Sequence, residues 1–310
     1  MEVKTFSEYL RCKKFFPLSV SIGDFDGIHI AHLALIDKMK EVAKTYNTKT
    51  AIITFDPHPS VIIKNSYNYT YLTPLSEKIE ILSKCDVDYL IIVEFDKQLS
   101  QIKPIEFLRD YLEKINVKNV VIGFDFTFGV DGNGKACDIQ PLSGGRITTF
   151  IMPKLTYQKS KVGTTLIKKQ LENGEIEVAT KLLGRFYHIK GIVVEGKKIG
   201  RSINLPTANI KILDSYAHVK PGVYGVIIKI DGRKYIGLAN YGHNPSFNHN
   251  DNLTFEVNII NFNKSIYDEQ VDVYFVSYIR DEQKFDSIED FLIQINKDKE
   301  NIINRVLPFV

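Results

Sequence analysis

"LSVSIGDFDGIHIAH", residues Leu18 to His32, decides how the first half of the chain is read. Leu18 to Ile22 is an apolar-leaning run of strand length. Two glycines, two aspartates and two histidines then crowd into Gly23–His32, and Leu33, Ile36, Met39 and Ala43 recur at helical spacing up to Tyr46. Gly23 and Gly27 permit tight turns and close approach of a ligand. The segment from His29 into Leu33 enters a helix, whose N-terminus favours anions through free N–H groups and its dipole. His29 and His32 are three apart and share a helical face. Imidazoles so placed can donate to phosphate oxygens, stabilising charge on a phosphoryl group without a covalent step. The bland alternative is that His29 caps a turn and His32 packs. A zinc site would have no cysteine nearby and would need a third ligand from afar.

The strand–helix rhythm continues. Ala51–Phe55, Tyr89–Val93 and Asn119–Ile122 read as strands and Ile105–Ile115 as a helix. Thr73 reads as the N-cap, with Pro74 at N1, of another helix through Leu82. This alternation predicts a parallel sheet with helices on its faces, whose ligands sit beyond the carboxyl ends of the strands. Two further clusters follow strands. "TFDPHPS" (Thr54–Ser60) carries Asp56 and His58, and "GFDFTFG" (Gly123–Gly129) carries Asp125 and three phenylalanines. On residues alone the first reads as a turn. The second fits a holder for a flat ring or an ordinary core turn equally well. A parallel sheet would gather all three clusters at one edge.

The pattern changes near Gly184. A helix from about Thr165, interrupted at Asn173-Gly174, closes the first half, and short strands follow: Gly191–Val194, Val223–Ile230, Tyr235–Ala239, Leu253–Ile260 and Val271–Ser277. Asp231-Gly232 is a hairpin signal. A compact antiparallel barrel is expected, with a helix over Ser287–Val306 covering one side. The expected domains are 1–183 and 184–310. In "GKKIGRSINLPTANI" (Gly196–Ile210), Thr207 and Asn209 supply oxygens two residues apart. Such hard ligands suit Mg²⁺ bound with a nucleotide phosphate, although the spacing alone also fits a plain turn. Glu256 lies in a β-patterned run, with Phe255 and Val257 facing the other side. Unaided, it reads as a solvent-facing strand residue.

The bulk numbers fit this reading. A chain of 310 residues with 44% hydrophobic and 25% charged residues is ordinary for two globular domains. A net charge of +3 suits anionic small molecules without requiring nucleic acid. Three well-separated cysteines (Cys12, Cys85, Cys137) read as reduced thiols. With no signal-like start and no apolar run of about 18 residues, a cytoplasmic protein without membrane partners is expected.

GDFDGIHIAH, TFDPHP and GFDFTFG, in this order, resemble the FMN adenylyltransferase domain of prokaryotic bifunctional riboflavin kinase/FAD synthetases, with its HxGH signature. PTAN, PGVYGV (Pro221–Val226), NYGHNPSF (Asn240–Phe247), FEVNIINF (Phe255–Phe262) and IRDEQKFDSIEDFLIQINKD (Ile279–Asp298) resemble the riboflavin kinase module of the same family. The resemblance spans nearly the whole chain. It implies a nucleotidylyltransferase domain with a Rossmann-like parallel sheet, followed by a riboflavin kinase barrel with a C-terminal helix. It implies that His29 and His32 contact ATP phosphates, that Gly23, Phe25, Asp26 and Gly27 form the same cradle, and that Thr164, Thr165 and Lys168 join it. Asp56, His58, Asp125, Phe126 and Phe128 would line the flavin, and Thr207 and Asn209 would hold Mg²⁺-ATP. Glu256 would take the proton of the riboflavin 5′-hydroxyl. The implied chemistry converts riboflavin to FMN and FMN to FAD, with ATP as co-substrate, Mg²⁺ in both steps and pyrophosphate released in the second. The chain departs from the family pattern at Ala31, which replaces the glycine of HxGH, and at GTTLIKK (Gly163–Lys169), where Lys168 replaces an arginine and loses its bidentate fork. Lys168 and Lys169 are expected in the first turn of a helix. Asn204, Asn244 and Ser246 are the departures in the second half. A relative with one working module, or a flavin- or nucleotide-binding regulator, are the alternatives.

Overall fold

In a computed structural model, which describes residues 1–12, 15–65, 68–196, 205–243 and 253–310, contacts divide the chain into two units, Met1–Thr164 and Thr165–Val310. The first is built on strands β1 (Glu2–Thr5), β2 (Leu18–Ile22), β3 (Lys49–Asp56), β4 (Tyr89–Glu94), β5 (Val117–Gly123) and β6 (Thr148–Met152). Its main helices are α1 (Ile30–Tyr46), α2 (Pro59–Ile63) and α3 (Leu75–Ser83). All six strands run parallel in the order β1-β4-β3-β2-β5-β6. The order reverses at β2, so β2 and its neighbours β3 and β5 flank the switch point where such sheets hold ligands.

The near-continuous apolar runs follow from helices covering both faces. Val20, Ile53, Ile91 and Ile122 pack on one face with Leu108 and Leu112. Ile52, Leu90 and Val121 pack on the other with Ile36, Met39 and Leu82. Ser19 and Ser21, polar in the buried β2, are satisfied by Thr48 and Asn119 and by the Val121 carbonyl. The edge strands β1 and β6 were not expected. Both are short, half-exposed and carry mixed polar residues, which blurs the apolar signal.

Two sequence expectations are corrected. Helix α3 begins at Leu75 with Pro74, not Thr73, at the N-cap position. The Thr73 N–H is bound to the Asp26 carboxylate, 3.0 Å away, which ties the residue before the helix to the loop after β2. Lys168 and Lys169 do not fall in a first turn, because helix α4 spans Thr164–Glu172 and puts Lys169 in its last turn, where a cation suits the dipole. Helix α5 (Ile176–Leu183) follows the break at Gly174 and ends on Gly184, φ +72°.

The second unit is a closed antiparallel barrel of β7 (His188–Val194), β8 (Ala208–Ile212), β9 (Gly222–Ile230), β10 (Arg233–His243), β11 (Leu253–Ile259) and β12 (Gln270–Arg280), ordered β7-β8-β11-β10-β9-β12. Asp231 and Gly232, both at positive φ, make the β9–β10 hairpin. Tyr224, Tyr241, Phe255 and Phe275 pack edge-on and stacked among themselves. Ile295, Ile302 and Val306 of helix α6 (Ile288–Val306, capped by Ser287) cover Val223, Ile227 and Leu238. An ion pair with the buried Asp298 ties that helix to β12: Arg280 Nε and Nη2 each lie 2.9 Å from Asp298 Oδ2. Asn204, Asn244 and Ser246 lie outside the described residues.

Candidate active sites

The first constellation forms at the carboxyl edge of β3, β2 and β5. The chain leaves β2 through Gly23–Ile28 in a loop held at positive φ by Phe25 (50°), Gly27 (87°) and Ile28 (37°). For residues other than glycine such conformations cost about 1–3 kcal/mol each, so surrounding contacts must hold them. Phe25 and Ile28 are plugged into the core against Ile36 and Leu90. The Asp26 carboxylate, 1% exposed, accepts from the Thr73 N–H at 3.0 Å and the Tyr69 hydroxyl at 3.2 Å. The Thr164 hydroxyl donates to the Asp26 carbonyl at 3.0 Å. Burial, and then the Asp26 carboxylate, push the Tyr69 phenol well above its usual range, so it remains a donor.

This loop delivers His29 to the N-cap of α1, with Nδ1 accepting the His32 N–H at 3.3 Å. Spending Nδ1 as an acceptor leaves the proton of the neutral ring on Nε2. The two rings stack, centroids 3.7 Å apart and 14° between planes, and Phe25 packs on His32. The pair expected on one helical face is therefore one stacked unit at a helix mouth.

The neighbouring loops supply a second layer. His58 caps α2 through Nδ1, which accepts from the Ser60 N–H, and its Nε2 lies 3.1 Å from Asp24 Oδ2. Tyr69 stacks on its ring at 4.1 Å. Asp56, which ends β3, is exposed. After β5, Asp125 pairs with Lys161 of the short hairpin 156–161, and that ammonium lies over the exposed Phe124 ring. Phe128 is buried against Phe107, and Phe126 stacks on Phe128. Of the three rings of GFDFTFG, Phe124 is the most exposed, with the Lys161 ammonium over it. Thr165 is exposed and Lys168 half-buried on α4.

Sequence reasoning missed Tyr69, Lys78 and Lys161. Lys78, only 4% exposed, donates to the Asp24 carbonyl at 2.6 Å and to Thr54 Oγ1 at 3.3 Å. In LSEKIEILS it reads as a solvated helix lysine, and nothing local signals its burial.

The second constellation is in the barrel. The expected turn at PTAN is the entry to β8, with Asn209 inside the strand, paired with Val194 of β7 and Glu256 of β11. Glu256 also stands opposite Asn240 of β10. Phe255 and Val257 are buried, so Glu256 projects from the other face, as the alternation requires. The Thr207 hydroxyl reaches Glu256 Oε2 at 3.5 Å. Asn258, two residues along β11, donates to the Pro206 carbonyl at 2.7 Å and fixes the approach to Thr207. A Cβ on Gly196 would collide with the Asn209 amide, so that glycine keeps the amide approachable. An open cleft is lined by Gly196, Thr207, Asn209, Lys264 and Tyr267. The Thr207 hydroxyl and the Asn209 amide line this cleft, and the Glu256 carboxylate lies beside Thr207; oxygen donors of this kind suit a hard divalent cation. Among the described residues no helix is long and apolar enough to cross a membrane.

Known proteins share both halves. Residues 14–166 match the FAD synthetase family model and residues 183–306 the riboflavin kinase model. The bifunctional riboflavin kinase/FMN adenylyltransferase of Listeria monocytogenes is 38% identical over 283 residues, covering 91% of this chain and 90% of that protein. Its Bacillus subtilis namesake is 34% identical, covering 92% and 91%. A crystal structure described as a macrolide-efflux protein from Streptococcus pneumoniae superposes with a TM-score of 0.90 at 31% identity, covering 98% of this chain and 99% of that one.

Proposed function

The chain belongs to the bifunctional riboflavin kinase/FMN adenylyltransferase family, and on that premise we propose how its residues divide the two reactions. It is a transferase of flavin biosynthesis that makes FMN from riboflavin and FAD from FMN, with ATP as the second substrate in each. Residues 1–183 serve adenylyl transfer and 184–310 the kinase reaction.

In the first module the FMN phosphate attacks the α-phosphorus of ATP in line, and pyrophosphate leaves. The nucleophile is already an anion, so no base is needed, and catalysis is positioning and charge stabilisation. His29 Nε2–H, the His32 ring and the first N–H groups of α1 donate to the phosphate oxygens. Gly23 and Gly27 let the nucleotide approach, Phe25 and Asp26 shape the cradle, and Thr164, Thr165 and Lys168 complete it. Asp56, His58, Asp125, Phe126 and Phe128 face the flavin side, with the exposed Phe124 ring as a further stacking surface. The stacked imidazole pair at a helix mouth is the observation that carries this assignment.

In the second module Glu256 accepts the proton of the ribityl 5′-hydroxyl as the oxygen attacks the γ-phosphorus. Thr207 and Asn209 would hold Mg²⁺ together with the phosphates. When bound, the ion neutralises charge on the triphosphate. The cross-strand pairing of Asn209 with Glu256 supports this reading.

The test is a product assay. The purified chain, given riboflavin, ATP and Mg²⁺, should yield FMN and then FAD on separation of the flavins. EDTA in excess should stop both. FMN without FAD, even when FMN is supplied, would refute the first module's assignment, and no product at all would refute both.

A further inference from the structure

Lys78 is a buried cation that neither reaction uses. It comes from α3, and its ammonium bonds the Asp24 carbonyl and the Thr54 hydroxyl, while that hydroxyl also lies 3.1 Å from the same carbonyl. Asp24 lies at the start of the loop after β2 and Thr54 near the end of β3, so the three groups clasp the start of the loop to the sheet edge. Burial pushes the Lys78 ammonium below its usual range, opposed by the carboxylates of Asp26, Asp24 and Asp56. The loop it clasps holds Phe25 and Ile28 at positive φ and ends at the His29 cap. A charge-assisted bond of 2.6 Å to a backbone carbonyl is a strong polar tether on that segment.

We infer that Lys78 is a positioning residue for adenylyl transfer: through the Asp24 carbonyl it holds the strained loop in the shape that presents His29 and His32 to phosphate. The inference rests on the assignment of those histidines to ATP. Without the clasp the loop relaxes from its positive-φ conformation, and the donors leave the reacting phosphate by distances that cost on the order of 10²-fold in rate.

The experiment is a double-mutant cycle on the full chain, with FMN adenylylation and riboflavin phosphorylation measured side by side. Lys78→Met should lower kcat for adenylylation by on the order of 10²-fold, leave the KM for ATP less affected, and leave kinase turnover within about twofold. Lys78→Gln, which keeps a donor for the Asp24 carbonyl, should recover part of the loss and serves as the second variant if Met does not fold. His29→Ala should cost far less in the Lys78→Met background than in the wild type, because the imidazole is already misplaced there. Multiplicative effects of the two changes, or unaltered kcat in both Lys78 variants, would overturn the inference. His29→Ala without effect in the wild type would instead remove the histidine assignment on which it stands.

Discussion

His29→Ala lowers conversion of FMN to FAD by on the order of 10²–10³-fold, the usual loss when one preorganised donor to a developing anion is removed, and leaves conversion of riboflavin to FMN at the wild-type rate. Two roles meet in this side chain. Nδ1 caps α1 by accepting the His32 N–H, and Nε2 carries the proton offered to phosphate. Alanine removes both, and loss of an N-cap alone costs about 1 kcal/mol of stability. Asparagine separates them, since its side-chain oxygen can cap the helix while it lacks a donor at the Nε2 position. His29→Asn should therefore melt like the wild type and still fail in adenylyl transfer. Steady-state rates with FMN and with riboflavin, beside a thermal melt, check all three statements. A variant that loses both reactions while folded would refute the division between modules.

Glu256→Gln produces the mirror result. The amide matches the carboxylate in shape and retains an oxygen for the Thr207 hydroxyl, so the barrel should stay intact. It cannot accept the proton of the 5′-hydroxyl. Removing a general base typically costs 10²–10⁴-fold, and kinase turnover should fall by roughly that factor while supplied FMN is still converted to FAD. The loss should appear in kcat more than in the KM for riboflavin. Unchanged phosphorylation would remove Glu256 as the base and leave it as a neighbour of the Thr207–Asn209 site.

Much of this arrangement is legible from residues alone, for local reasons. The runs at 18–22, 51–55, 89–93 and 119–122 are apolar because both faces of the sheet are covered. Their order places GDFDGIHIAH, TFDPHPS and GFDFTFG at one edge. Glu256 between two buried neighbours follows from strand alternation, and Asp231-Gly232 from turn chemistry. What is illegible depends on distant partners. Thr73 looks like a cap, but the helix starts one residue later, and the Thr73 N–H goes to Asp26, 47 positions away. Lys78 looks solvated until Asp24, 54 positions away, buries it. PTAN looks like a turn because proline precedes it, although Ala208–Ile212 alternates as a strand that finds Val194 and Glu256. In GFDFTFG, Phe128 is the ring withdrawn into the core because Phe107 packs on it, which the motif alone does not show.

The claim that one chain carries two independent phosphate-handling sites is tested most directly by mixing its two crippled forms. His29→Ala alone, given riboflavin, ATP and Mg²⁺, should stop at FMN, and Glu256→Gln alone should leave riboflavin unconverted. Equal amounts of both in one tube should make FAD from riboflavin, because FMN released by the first variant is adenylylated by the second. A mixture that forms FMN but no FAD, with each variant folded, would contradict the account.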